Sequence, residues 1–140
     1  FTSCSTAGLL AYSTYPWTYT SARTDDRVVV SFSSLPGGSI QNYNFGHTIS
    51  HEVGHWAGLY HTFEGGCLGS VDYASDTHAE ASPAYGCPSG LPLVYNYMDH
   101  SYESCVEEFT GGQAVAKTED MMNNRQRRPL LSSQHRCILR

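Results

Sequence analysis

Residues 51–61 place histidine, glutamate and glycine at spacings that suit metal-assisted hydrolysis. The segment reads H-E-x-x-H-x-x-G-x-x-H, in which the histidines are His51, His55 and His61 and the glutamate is Glu52. Three neutral imidazoles can bind Zn²⁺ and leave a fourth position for water, the arrangement typical of catalytic zinc. Bound zinc lowers the pKa of that water from about 16 to about 7. We therefore predict a zinc centre at which Glu52 is the general base in an attack on a carbonyl.

These side chains need a helix to present them together. His51 and His55 are four residues apart, which places them one turn apart and about 6 Å along a helix axis. We expect this helix to begin near Asn42 or Asn44, since either side chain can cap it, and to run to about Ala57.

The same helix needs a buried face and an end. Ile49, Val53 and Trp56 follow the i, i+4, i+7 spacing and are predicted to form its buried stripe. Gly58 can adopt a positive φ, so we expect it to end the helix and turn the chain sharply. That turn would bring His61 back as the third ligand.

Weaker patterns predict the remaining elements. Residues 27–32 are apolar and β-branched and indicate a strand, and residues 9–12 indicate a shorter one. Residues 65–93 are rich in Gly, Ser, Pro and Asp, so we expect irregular structure there. Residues 113–124 are predicted to be helical, although their apolar stripe is poor.

Other residues with possible chemistry receive plainer interpretations. His47 lies one turn before the motif, but three histidines and water already complete a tetrahedron, so we predict a supporting or surface role. His78 and His135 lie in a predicted loop and tail and are expected to face solvent. Glu107 and Glu108 are adjacent and therefore point apart, so we interpret them as surface charges rather than a glycosidase pair.

Composition narrows the class of protein. The 140 residues include 13 acidic and 8 basic side chains, and the formal net charge of −5 argues against nucleic acid or an anionic membrane as a partner. No apolar stretch approaches the length of a membrane-spanning helix. The first residues lack the pattern of a signal peptide, which indicates a processed chain or a fragment. A single lysine and ten tyrosines favour a secreted, extracellular protein.

The five cysteines fit an oxidising compartment better than a metal site. None forms a C-x-x-C pair, so a thiolate zinc site or redox motif is not predicted. The odd count leaves at least one cysteine unpaired or paired outside the chain. They are Cys4, Cys67, Cys87, Cys105 and Cys137.

Two further segments carry a family resemblance. Residues 96–99 read N-Y-M-D, and their methionine, Met98, lies 37 residues after His61. Residues 104–105 read S-C. Together with the long histidine motif and S-D-T at residues 75–77, these segments resemble the pappalysin family of metzincins, and most closely small secreted fungal metalloproteases. The resemblance covers most of residues 5–125.

The resemblance implies an α+β fold with an α/β-type upper part: a twisted sheet with the active-site helix above an irregular, disulfide-held lower subdomain. We expect residues 1–125 to form the catalytic domain, with its upper part at 1–58 and its lower part at 59–125. Residues 126–140 are expected to form a basic C-terminal tail. Only fifty residues precede His51, so the N-terminal part is expected to be truncated relative to the family.

The resemblance also implies roles for single residues. Met98 would lie beneath the metal as an apolar base, and Cys87 would pair with Cys105, whereas Cys67 would pair with Cys4 or Cys137 or stay free. The family's loop after the third histidine binds calcium, and hard oxygen donors are present there, although turn and cap chemistry explains them equally well. These donors are Asp72, Asp76, Thr77 and Glu80.

One position departs from the family pattern at the active site. Relatives commonly have a tyrosine two residues after the methionine, where it stabilises the tetrahedral intermediate. Here that position is His100, and Tyr102 follows two residues later. Either side chain could donate a hydrogen bond to an oxyanion.

The leading hypothesis is a monomeric, secreted zinc endopeptidase that acts on protein or peptide substrates, with Zn²⁺ as cofactor and Ca²⁺ as a possible structural ion. One alternative is a metzincin-like module that binds zinc or peptide with weak or no catalysis. A non-peptidase zinc hydrolase is a third hypothesis.

Overall fold

The computed structural model of the protein describes residues 8–68, 72–88 and 93–125. Its regular elements are the strands β1 (Ala11–Ser13) and β2 (Val28–Val30) and the helices α1 (His47–Trp56) and α2 (Gly111–Arg125). Single turns of 3₁₀-helix occur at Pro16–Thr18, Arg23–Asp25, Phe32–Ser34 and Gly66–Leu68. Neither α-helix of the described ranges is long and apolar enough to cross a membrane.

The two described strands pair antiparallel beneath α1. Ala11 lies opposite Val30 and Ser13 lies opposite Val28. Both strand predictions are confirmed, but the strands are shorter than predicted. The side chain of Ser31 accepts a hydrogen bond from the Ser33 amide, which starts a 3₁₀ turn and ends β2. Helix α1, which carries His51 and His55, packs against both strands, so the strand pair supports it from one side.

The start of α1 differs from the prediction. The N-cap is Gly46, with a φ of 97°, and neither Asn42 nor Asn44 caps the helix. The Asn44 amide instead donates to the Gly38 carbonyl at 2.9 Å and closes the preceding loop. At the other end, the prediction for Gly58 is confirmed, because its φ is 109° and the chain turns there.

The predicted buried stripe of α1 is wrong at Ile49 and Val53, whereas its third member, Trp56, is half-buried. Ile49 is 37% exposed and Val53 is 42% exposed within the described structure. The buried stripe instead runs through Thr48, Glu52 and His55. These three residues have the same i, i+4, i+7 spacing one residue earlier, so the buried face is rotated by about 100°. Hydrogen bonding, rather than apolar packing, decides which face turns inward.

The C-terminal ends of α1 and α2 meet at a buried ion pair. Arg125 is 3% exposed, and its Nη2 lies 2.8 Å from Oδ1 of Asp26. The guanidinium lies 4.3 Å from the centre of the Trp56 ring, and the indole also donates to Asp26 at 2.7 Å. The α2 prediction is confirmed with slightly wider bounds, whereas the predicted tail at 126–140 lies outside the described residues.

Candidate metal centre and active site

The three histidines of the 51–61 motif converge with a fourth histidine beside α1. The Nε2 atoms of His55 and His61 lie 3.0 Å apart. The Nε2 atom of His100 lies 3.3 Å from that of His61. Ring nitrogens of His51, His61 and His100 all lie within 4.8 Å of one another. The described chain therefore gathers four imidazoles where the sequence predicted three ligands.

Two backbone carbonyls orient the imidazoles that α1 carries. Nδ1 of His51 lies 2.6 Å from the Tyr97 carbonyl, and Nδ1 of His55 lies 2.7 Å from the Leu59 carbonyl. A carbonyl oxygen only accepts hydrogen bonds, so each Nδ1 carries the proton and donates it. The lone pair of both rings is therefore on Nε2, as in metal-binding histidines whose other nitrogen is held by a carbonyl.

Burial keeps the clustered imidazoles uncharged. Burial first, and then the neighbouring His55, lowers the pKa of His51 to about 3. Burial and His61 lower the pKa of His55 to about 4. Burial, His51 and His100 lower the pKa of His61 to about 3. Only a neutral ring can bind a metal, so these histidines need no deprotonation at neutral pH.

The donors of this cluster fit a zinc ion. Imidazole nitrogen suits zinc and other transition metals, whereas calcium and magnesium prefer oxygen ligands. Neutral rings with fixed tautomers can bind such an ion with little rearrangement. His100 is also neutralised, since burial lowers its pKa.

The predicted base, Glu52, lies beside the histidines and is itself held in place. Its side chain is buried, at 7% exposed. The Ser13 hydroxyl on β1 donates to Glu52 Oε2 at 2.7 Å. Burial raises the pKa of Glu52, and the bond from Ser13 partly offsets that rise. A carboxylate with a raised pKa accepts a proton more readily than an exposed one, which suits a general base.

Met98 lies in a close-packed position against the helix. It is fully buried, and its amide donates to the Asn96 side chain at 2.8 Å. A Cβ added at Gly54 of α1 would lie 2.4 Å from the Met98 sulfur, so only glycine allows this approach. The Met98 carbonyl accepts a hydrogen bond from the Thr62 amide at 3.2 Å, which joins the segment that carries Met98 to the chain after His61.

Glu103 is a residue that sequence reasoning missed. It is 3% exposed, and its Oε1 accepts from the Thr48 amide at 2.5 Å and the Thr48 hydroxyl at 2.6 Å. Its Oε2 accepts from the Gly46 amide at 3.0 Å and from the Phe45 amide. This carboxylate therefore supplies the cap that α1 lacks. No local sequence signal pointed to Glu103, because it lies 55 residues from Thr48 and because Asn42 and Asn44 offered nearer caps.

Tyr15, which the sequence analysis did not single out, places its hydroxyl beside the histidine cluster. Its hydroxyl lies 3.2 Å from Nδ1 of His55. Burial, followed by the charge of Glu64, raises its pKa to about 12, so the phenol keeps its proton. Tyr102, one of the two predicted stabilisers, packs its ring edge-on against Tyr43 with centroids 5.7 Å apart.

The predicted calcium donors have other partners in the structure. Asp72 is buried and accepts hydrogen bonds from the Ala74 amide and the Thr77 hydroxyl. Glu80 Oε2 accepts from the Thr62 hydroxyl at 2.8 Å.

Asp76 accepts hydrogen bonds at the start of α2. It accepts from the Gly112 amide at 2.8 Å and from the Thr110 hydroxyl at 2.7 Å. The contacts of Asp72, Asp76 and Thr77 match the turn and cap interpretation, whereas Glu80 accepts from a residue 18 positions away. Calcium binding stays a prediction.

A disulfide bond connects the segment that carries His100 to the loop before it. Cys87 and Cys105 are bonded, with their Cα atoms 5.8 Å apart, which confirms the predicted pair. Cys67 is exposed and has no disulfide partner among the described residues. Cys4 and Cys137, its other predicted partners, lie outside those residues.

The fold and the histidine cluster define a metzincin-like α+β protein. Mature mirolysin of Tannerella forsythia in complex with a cleaved peptide matches with a TM-score of 0.74 and 31% identity, over 84% of this chain and 50% of that chain. Mirolysin in complex with compound 9 matches equally well, over 82% of this chain and 48% of its own.

The family follows from the sequence comparisons. The peptidase M43 family model, described as pregnancy-associated plasma protein-A, matches residues 4–123. Extracellular metalloproteases of Neurospora crassa and Sordaria macrospora are 50% and 49% identical over 121 residues, which is 78% of this chain. The chain belongs to this family, the pappalysins, and the predicted resemblance is confirmed. It spans 42% of the length of both fungal relatives.

Proposed function

We propose that this chain carries the active site of a secreted zinc endopeptidase that hydrolyses peptide bonds in extracellular proteins. The observation that carries the proposal is the juxtaposition of Glu52, oriented by Ser13, with the neutral imidazoles of His51, His55 and His61. The extracellular names of the fungal relatives support secretion. We propose a monomer that binds protein or peptide substrates and neither nucleic acid nor membrane.

The three motif histidines would hold the metal through their Nε2 atoms. When bound, zinc lowers the pKa of a water molecule and polarises the substrate carbonyl. Glu52 takes the proton of the attacking water and passes it to the leaving amine nitrogen. His100, whose Nε2 lies 3.3 Å from that of His61, donates a hydrogen bond to the developing oxyanion. Tyr102 would reach that position only after leaving its contact with Tyr43.

The supporting parts complete the proposal. Met98 would supply the apolar base of the metal site, and residues 1–58 and 59–125 are the upper and lower parts of the catalytic domain. Residues 126–140 are a basic tail. Ca²⁺ would be a structural ion of the segment that carries Asp72, Asp76, Thr77 and Glu80.

Replacement of the base tests the mechanism. The Glu52→Gln variant should keep its zinc and lose activity by about 10²–10⁴-fold, because the amide cannot accept the proton. Peptide cleavage assays and zinc content by mass spectrometry measure the two effects. Glu119→Gln, at an exposed position on α2, is the matched control and should cleave at the wild-type rate. Cleavage at the wild-type rate by Glu52→Gln would refute the mechanism, and a zinc-loaded wild type that cleaves nothing would favour a binding module.

A further inference from the structure

His100 enters the histidine cluster from outside the 51–61 motif and is held in place there. Its ring lies edge-on to the rings of His61 and Phe63, with 4.8 Å between centroids in both pairs. Phe63 in turn stacks on His61 at 4.7 Å. On either side of His100 in the chain, Asp99 is 3% exposed and its Oδ2 accepts from the Ser101 hydroxyl at 2.8 Å. Ring packing and hydrogen bonding therefore fix the His100 imidazole beside His61.

The spacing of the Nε2 atoms matches the edges of a tetrahedron around zinc. A zinc–nitrogen distance of about 2.0–2.1 Å puts tetrahedral ligand nitrogens about 3.3–3.4 Å apart. Nε2 of His61 lies 3.0 Å from that of His55 and 3.3 Å from that of His100. The ring nitrogens of His51, His61 and His100 lie within 4.8 Å of one another. That limit exceeds a tetrahedral edge by about 1.5 Å, which a side-chain adjustment can close. His100 thus lies at the distance of a ligand.

The proton positions leave lone pairs, rather than N–H groups, between these rings. Nδ1 of His51 and Nδ1 of His55 donate to backbone carbonyls, so both Nε2 atoms carry lone pairs. Nδ1 of His61 faces the Glu64 carboxylate at 3.8 Å, which favours a proton on that nitrogen as well. Among the described residues, Nε2 of His100 has Nε2 of His61 as its one close polar partner. Lone pairs that face one another are best satisfied by a shared cation.

We propose that His100 is a fourth ligand of the zinc ion in the resting protein, where it occupies the position that water takes during catalysis. This inference rests on the zinc centre of the proposed function and adds a closed state to it. Four protein ligands complete the tetrahedron, as in structural zinc sites, whereas a catalytic site keeps one position open. A substrate must then displace His100 before hydrolysis. The displaced imidazole still carries one N–H and is left beside the developing oxyanion.

The ligands of zinc in the resting protein test the inference without any turnover. X-ray absorption of the zinc-loaded wild type should show four imidazoles, and the signal of one imidazole should disappear in His100→Ala. His78→Ala removes an exposed histidine outside the cluster and is the matched control, with the wild-type spectrum expected. Three imidazoles in both the wild type and His100→Ala would overturn the proposal.

A small zinc ligand gives an independent measure of the closed state. Acetohydroxamate must displace His100 in the wild type but not in His100→Ala, so it should bind the variant at least about fivefold more tightly. This ratio corresponds to His100 being bound in about four-fifths of the molecules, because apparent affinity scales with the open fraction. Titration of the cobalt-substituted proteins, followed by visible absorption, measures both affinities. His78→Ala should bind as the wild type does, and equal affinities in the wild type and His100→Ala would contradict the proposal.

The outcomes separate this inference from the proposed function. A resting protein with four imidazoles on zinc that cleaves no peptide supports the closed site and refutes the peptidase. A protein that cleaves peptides and has the same zinc ligands as His100→Ala refutes the closed site and leaves the peptidase intact.

Discussion

The two ends of α1 are held by buried groups of opposite charge. At the N-terminus, the Glu103 carboxylate accepts from three amides and one hydroxyl. At the C-terminus, the Arg125 guanidinium donates to the Trp56 carbonyl. An anion at the start and a cation at the end of a helix both interact favourably with its dipole. Helix α1 is therefore positioned by charge at both ends, while its apolar residues Ile49 and Val53 stay partly exposed.

The ends differ in what neutralises each charge. Arg125 pairs with Asp26, whereas Glu103 is compensated by hydrogen bonds from the helix itself. Removing Arg125 therefore also affects a second buried charge, and removing Glu103 affects α1 alone. The difference teaches that the C-terminal contact joins α1 to two other segments, at Asp26 and at α2, while the N-terminal contact joins the start of α1 to the one segment that carries Glu103.

The largest change in stability is expected at the C-terminal end. Arg125→Met keeps an apolar stem but removes the guanidinium from Asp26, so the free energy of unfolding should fall by about 3–5 kcal/mol. Chemical denaturation with a single transition measures it. Arg27→Met is the control, because its pair with Asp25 is about half exposed and should contribute at most about 1 kcal/mol. Equal losses in both variants would contradict the role of burial.

A smaller loss is expected at the N-terminal end. In Glu103→Gln, the amide nitrogen faces N–H donors and cannot accept, so unfolding should become easier by about 2–3 kcal/mol. Thr48→Val removes one of the four donors and should cost about 1 kcal/mol. Glu107→Gln, at an exposed carboxylate nearby, is the control and should change little. If Glu103→Gln were as stable as Glu107→Gln, the cap would not hold the helix.

The sequence predicted the parts of the site that depend on local spacing. Four-residue spacing places His51 and His55 on one helix face, and Gly58 adopts the positive φ that turns the chain toward His61. The Cys87–Cys105 bond followed from family resemblance, not from the residues themselves.

Contacts between distant segments could not be predicted from the sequence. Glu103 lies 55 residues from Thr48, and Ser13 lies 39 residues from Glu52, so neither pair leaves a local pattern. The buried face of α1 was predicted wrongly for the same reason. The periodicity of Ile49 and Val53 assumes that apolar residues turn inward, whereas hydrogen bonds to distant groups hold the polar face inside.

The most direct test of the account concerns which imidazoles bind the metal. The motif assigns His51, His55 and His61, while the distances also bring His100 to the same cluster. Zinc content per chain, measured by mass spectrometry after dialysis, should be one in the wild type and in His100→Ala. It should fall to near zero in His55→Ala and in His61→Ala. Retention of zinc by His55→Ala together with its loss from His100→Ala would contradict the proposed centre.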